Sequence, residues 1–183
     1  MQVFYSFAFD LLEKAMIKVS DTVLREAASK GMDAFIDVFA EAYLKETNSE
    51  WTAEKMALLN ADQHTLLAYK LFKDEVCEGG LLQLIQNGYG SYIFHNPFAK
   101  ALKGWGIPEL AKLLYKAREI YDLCKDDLES ERSDEEFMAL YEQYEELNDL
   151  DDAFIENEEL YTAMVADYVD NHIVNFAEIE TLD

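Results

Sequence analysis

The chain is poor in the residues that most often announce chemistry. Its 183 residues include only two Cys and three His. Cys77 and Cys124 lie far apart, with no finger or redox spacing, and a disulfide framework needs more of them. Both read as reduced, buried, small apolar side chains. His64, His95 and His172 form no four-residue pair, no H-E-x-x-H and no E-x-x-H, so no metal site is expected. Two Pro and seven Gly are few and argue for regular structure with short connections. No uncharged apolar run is long enough to span a bilayer. The opening MQVFYSFAFDLLEKAM is apolar, but no base precedes Lys14, and Asp10 and Glu13 interrupt it, unlike a signal peptide. A cytoplasmic protein is expected, with no cofactor and no membrane association.

The most telling absence is positive charge. No Lys or Arg follows Arg132, and residues 126–183 carry 21 Asp and Glu against that one base, a formal −20. Residues 1–125 hold 17 acids and 14 bases, a formal −3. So acidic a segment repels nucleic acid and anionic membranes and attracts basic surfaces. Basic residues form no run along the chain, which argues against direct nucleic-acid binding. The glycines between Gly79 and Gly90 lack a following Lys-Ser/Thr, so they make no P-loop. Asn148–Glu159 is carboxylate-rich, yet Leu150 and Ala153 fall at EF-hand ligand positions and no Gly supplies the turn.

What is present is a core. Half of the residues are hydrophobic and 13% aromatic. They recur at helical steps: Leu12, Met16, Val19, Val23 and Ala27; then Met32, Phe35, Ile36, Phe39, Ala42 and Tyr43. Thr52 reads as a cap for a short helix, and Asn60 or Asp62 as the cap of a longer one with Leu67, Ala68, Leu71, Phe72 and Val76 inward, ended by Gly79-Gly80. Pro108 opens a helix with Leu110, Leu113, Leu114, Ala117, Ile120, Tyr121 and Cys124 on one face. Ser133 with Glu136 reads as a capping box before Phe137, Leu140, Tyr141, Tyr144 and Leu147. A last helix carries Leu160, Tyr161, Met164, Val165, Tyr168, Val169, Ile173 and Phe176. The fold class is all-α: an irregular multi-helix bundle of eight to ten helices in a single domain.

An acidic terminus is usually a solvated, disordered tail. Here the aromatic residues fall at helical spacing, which predicts folded helices with an acidic outer face. Read as one helix, Asp134–Asp149 is about 24 Å long. Its seven acids are Asp134, Glu135, Glu136, Glu142, Glu145, Glu146 and Asp149. That is one charge per roughly 3.4 Å, near the axial charge spacing of a single DNA strand. Glu135, Glu142, Glu145 and Asp149 line one side. Asp151, Asp152, Glu156, Glu158 and Glu159 extend the surface, and no Lys lies within four residues to offset the repulsion.

One stretch carries a resemblance. Glu75, Val76, Gly79, Gly80, Leu81 and Gln83 match an E-V-x-N-G-G-L-x-Q pattern, with Glu78 in place of the Asn. Asn87 and Gly88 match a following turn, and Ala101–Pro108 sits where an A-L-x-x-I-G-A run is expected. Leu150-Asp151-Asp152-Ala153-Phe154 and Tyr168–Phe176 match L-D-x-x-F and Y-I-x-x-N-x-x-x-F elements. This combination resembles the bacterial DNA-mimic protein family, most of whose members carry a domain of unknown function, over roughly residues 50–178. Residues 1–49 then read as N-terminal helices packed on that domain and 179–183 as a tail. The resemblance implies an all-α, often dimeric fold and, for at least one relative, acidic side chains that stand in for phosphates on a transcription factor. Glu75, Gly79, Gly80, Gln83, Asn87 and Gly88 read as structural, with Gly79-Gly80 and Asn87-Gly88 at backbone positions needing positive φ.

The expected function is therefore a non-enzymatic acidic domain that binds a basic protein partner, a DNA-binding regulator or a nuclease. Asp134, Glu135, Glu142, Glu145, Glu146 and Asp149 would carry it, with Asp151, Asp152, Glu156, Glu158 and Glu159 extending it. Two alternatives stand beside it. One is an immunity- or antitoxin-like inhibitor of a basic nuclease. The other is a ligand-binding or enzymatic bundle with a pocket near Glu75, Gln83 and His95. A soluble domain whose charge has no target is the plainest reading.

Overall fold

Helix builds almost everything in the computed structural model, which describes residues 17–181. In chain order the elements are β1 (Lys18–Ser20), α1 (Asp21–Lys30), α2 (Met32–Glu46), α3 (Ala53–Met56) and α4 (Ala61–Gln86). Next come α5 (Gly90–His95), α6 (Phe98–Gly104) and α7 (Pro108–Leu128). The acidic third supplies α8 (Asp134–Gln143), α9 (Glu145–Ile155) and α10 (Glu158–Asn171), then a short 3-10 turn and β2 (Glu178–Glu180). The fold is all-α, with ten α-helices among the described residues. Leu12 and Met16, read as part of the first apolar face, lie outside them.

The chain forms two compact units, one from the chain up to His64 together with Val169 onward, the other from Thr65–Tyr168. In the first, β1 and β2 pair in parallel, Val19 opposite Ile179, so Val19 is a strand residue rather than a helical one. Glu178–Glu180 thus contributes a strand at the start of the stretch read as a tail. Leu24, Phe35, Ile36, Phe39, Tyr43 and Phe176 fill this unit's core, while Val23 points outward. The Phe176 carbonyl accepts from the Tyr43 hydroxyl at 3.1 Å and from Gln63 Nε2 at 2.9 Å. Asn60 caps α4: its Oδ1 accepts the Gln63 amide and Gln63 Oε1 accepts the Asn60 amide, both at 2.9 Å. Thr52 caps α3 through the Lys55 amide.

In the second unit Tyr69, Phe72, Leu81, Leu102, Leu110, Tyr121, Leu147, Phe154 and Val165 are almost fully buried. Phe72 of α4 meets Phe154 of α9 edge to face, ring centres 4.9 Å apart. Burying Leu147 and Phe154 contributes about 1.5–3 kcal/mol each, which is what holds α9 to the rest of this unit. Trp105 stacks on Tyr168 at 4.4 Å. Gly90 is needed for contact, because a β-carbon there would lie 2.7 Å from the Tyr121 ring.

Two cysteine expectations are corrected. Cys77 is exposed and Cys124 half-buried. Cys77 sits one position past Val76, off the stripe of Tyr69, Phe72 and Val76 that faces inward. Cys124 lies where α7 loses helical geometry (φ −118°, ψ 16°).

Candidate functional site: the acidic helices and their seat

The acidic third is folded, and its first helix begins as its sequence dictates. The Ser133 hydroxyl accepts the Glu136 amide, and the Glu136 carboxylate accepts the Ser133 amide at 2.9 Å. These bonds hold the Glu136 carboxyl below its usual range. Asp134, Glu135 and Glu136 sit in the first turn of α8, where the helix dipole favours acids.

The single long helix expected over Asp134–Asp149 is not formed. Tyr144 adopts φ −117°, ψ 52°, and separates α8 from α9. In an unbroken helix the Tyr141 carbonyl would accept the amide four residues on. Here the Asn148 side chain donates to it instead, at 2.6 Å. The Tyr144 hydroxyl reaches back to Asp127 Oδ2 at 2.5 Å. That bond, then the Arg132 guanidinium on the same carboxyl, holds Asp127 below the usual carboxylate range. Glu135 and Glu142 therefore belong to one helix and Glu145 and Asp149 to another, so the four do not form one continuous line.

The acids of α9, with Glu156 at its C-cap, make their own line. Glu145, Asp149, Asp152 and Glu156 are exposed at steps of 4, 3 and 4, opposite the buried Leu147 and Phe154. At a rise of ~1.5 Å per residue they span about 16 Å, one carboxylate per roughly 5.5 Å. Glu146 and Glu159 are also exposed, as are Asp134, Glu135 and Glu142 on α8.

Two members of the expected acidic surface face elsewhere. Glu158 is half-buried and pairs with Lys73 of α4, a base distant in sequence. It also accepts from the Thr162 hydroxyl at 2.7 Å, and Thr162 in turn meets the buried Tyr69 hydroxyl at 2.8 Å. Asp151 is buried at 8% exposure, so it offers nothing to a partner. Its Oδ1 accepts the Leu81 amide at 2.9 Å, and burial pushes its carboxyl up to about 7 against that bond. Spacing carried this information: Asp151 falls between Leu147 and Phe154 on the apolar stripe.

Asp151 explains the glycine motif. α4 breaks at Gly79 (φ −155°) and Gly80 (φ 74°, ψ −177°), freeing backbone groups that need partners. The acidic helices supply them. Asp151 takes the Leu81 amide, and the Tyr141 hydroxyl donates to the Gly79 carbonyl at 2.7 Å. Glu75 spans the break: its Oε2 accepts from Asn87 Nδ2 at 2.8 Å and from Gln83 Nε2 at 3.3 Å. Gly88 has the positive φ expected of it, 85°, whereas of the glycine pair only Gly80 does. Gly79, Gly80 and Leu81 thus meet α8 and α9, while Glu75, Gln83 and Asn87 tie the two sides of the break to each other. His95 is engaged elsewhere, its Nε2 2.8 Å from Asp122 Oδ1.

Among the described residues no group of three or more His, Cys, Asp or Glu is arranged to hold a metal ion. Nor is any described helix long and apolar enough to cross a membrane. Fold and surface define a class: an all-α protein that seats folded acidic helices on a broken helix. The chain belongs to the DMP19-like protein family, whose model matches residues 57–172. It is 33% identical over 147 residues to the DNA mimic protein DMP19 of Neisseria meningitidis serogroup B, covering 80% of this chain and 88% of that one.

Proposed function

We propose that this protein is a DNA mimic that occupies the basic, nucleic-acid-binding surface of a protein partner in the cytoplasm, without enzymatic activity of its own. The observation that carries this reading is the α9 ridge of Glu145, Asp149, Asp152 and Glu156, exposed and unneutralised by any Lys or Arg after Arg132. A relative named as a DNA mimic supports it. In mechanism, the partner's Arg and Lys side chains pair with the carboxylates as they would with phosphates, and bound DNA is displaced. Such ridges act best when rigid, because ordering a floppy tail on binding would consume much of the attraction. Tyr141 and Asp151, seated at Gly79–Leu81, provide that rigidity. Glu142, Glu146 and Glu159 enlarge the field around the ridge.

The test has two stages. The tagged protein is used to capture partners from lysate of its source cell at about 50 and 300 mM salt, since exposed ion pairs are screened over a Debye length of about 10 Å at 0.1 M. A captured DNA-binding protein is then titrated in a duplex-displacement assay with the native chain and with the E145Q/D149N/D152N/E156Q variant. The expected result is capture at low salt only, and displacement weakened at least about tenfold in the variant. Equal displacement by both chains, or partners indifferent to salt, would overturn the reading.

A further inference from the structure

Residues 90–125 run against the charge of the rest: six Lys and Arg stand against three acids. They are scattered along the chain, yet the turn from α5 through α6 to α7 gathers part of them around one cleft of about 320 Å³. Such a volume lies at the lower end of small-molecule sites. Phe94, Leu114 and Tyr115 provide apolar wall, and Lys100, Arg118 and His95 provide the polar rim. Tyr115 is 41% exposed, a large aromatic face left open on this side.

The rim is organised. Asp122 accepts from Arg118 Nε at 3.2 Å and lies 2.8 Å from His95 Nε2, so a single carboxylate orients both side chains. Those contacts hold Asp122 below the usual carboxylate range, His95 first and Arg118 after it. Lys100 is exposed and makes no ion pair or hydrogen bond among the described residues. Among the described residues, rich in acids as they are, this lysine stays unmatched beside an apolar wall. Two cations against one acid leave the cleft net positive, without counting His95.

We infer that the cleft between α5, α6 and α7 is a binding site for a small amphipathic anion, a carboxylate carried on an aromatic body. The body lies against Phe94, Leu114 and Tyr115. The carboxylate is taken by Lys100 Nζ and by the part of the Arg118 guanidinium not engaged by Asp122. A charge-assisted hydrogen bond gains most where the surrounding wall is apolar, which is the arrangement here. The site is separate from the acidic ridge of α9 and does not depend on its function.

Phenylacetate is the probe, with phenylacetamide as its uncharged match. Amide NMR spectra of the full chain are recorded during titration. Saturable shifts confined to residues 93–100 and 114–118 are expected with phenylacetate, at a Kd of about 5 mM or tighter for ten non-hydrogen atoms. Phenylacetamide is expected to bind at least about tenfold more weakly, and the K100Q/R118Q variant to lose that preference. A Y115S variant, which keeps both cations, is expected to weaken phenylacetate while leaving its advantage over the amide. Circular dichroism establishes that each variant is folded. Absence of saturation, equal binding of acid and amide, or an unchanged preference in K100Q/R118Q would each overturn the inference.

Discussion

At Gly80 the backbone takes φ 74°, and a β-carbon added there would lie 2.3 Å from Asp151 Oδ2. Gly80→Ala therefore adds left-handed strain and expels the carboxylate from the Leu81 amide. The strain is about 1–3 kcal/mol and the unpaired buried amide about 1–3 kcal/mol, so a total loss of about 2–6 kcal/mol is expected in urea denaturation. Asp151 itself gives a pH signature. Its carboxyl rises from 3.8 unfolded to about 7 folded, so the folded chain holds the proton more tightly. The resulting stabilisation is full below pH 3.8, declines as pH rises towards 7, and is constant above. Asp151→Asn keeps an acceptor for Leu81 and cannot titrate. Between pH 8 and 5 the native chain should gain about 2 kcal/mol relative to this variant. A pH-independent difference would mean that Asp151 is not buried as described.

Helices α8 and α9 show what an element's own residues announce and what they do not. The start of α8 was readable because Ser133 and Glu136 are three apart and satisfy each other without tertiary help. The same holds for Thr52 and for Asn60 with Gln63. The break at Tyr144 was not readable: no Gly or Pro stands there, and Tyr144 keeps the helical spacing of Phe137, Leu140 and Tyr141. Its cause is partly tertiary, a hydroxyl bonded to Asp127 at the end of α7, and partly a side chain, Asn148, that takes the Tyr141 carbonyl. The glycine pair reads as structural from its sequence, but the helices that dock on it do not show there, because Asp151 is one more acid in an acidic run. Asn148→Ala should leave the Tyr141 carbonyl without its partner. A loss of about 1 kcal/mol is expected, with faster hydrogen exchange at the α8–α9 joint and unchanged exchange in the buried part of α4. Unaltered exchange at the joint would mean that Asn148 does not set the break.

On the scale of the whole molecule, charge works in two opposed directions. The formal −23 is concentrated so that residues 126–183 hold −20 of it, a segregation plain in the sequence. Which of those acids face water was not plain, because burial of Asp151 and the pairing of Glu158 with Lys73 need the folded chain. Crowded carboxylates repel one another across α8, α9 and the start of α10, and this repulsion weakens the compact state. Salt screens it: the Debye length shrinks from about 30 Å at 0.01 M to about 3 Å at 1 M. The same screening weakens attraction to a basic partner. The thermal midpoint should therefore rise by about 3 °C or more between 0.01 and 0.5 M sodium chloride, if about 1 kcal/mol of repulsion is relieved. If the ridge binds a basic partner as proposed, that affinity should fall over the same range. The E145Q/D149N/D152N/E156Q variant should show a smaller gain in midpoint, because the repulsion has been removed from the ridge. Calorimetry of the two chains across the salt series checks this. A midpoint that falls with salt, or an equal gain in both chains, would mean that the ridge is not a strained array of like charges and that its acids are held by bonds rather than left for a partner.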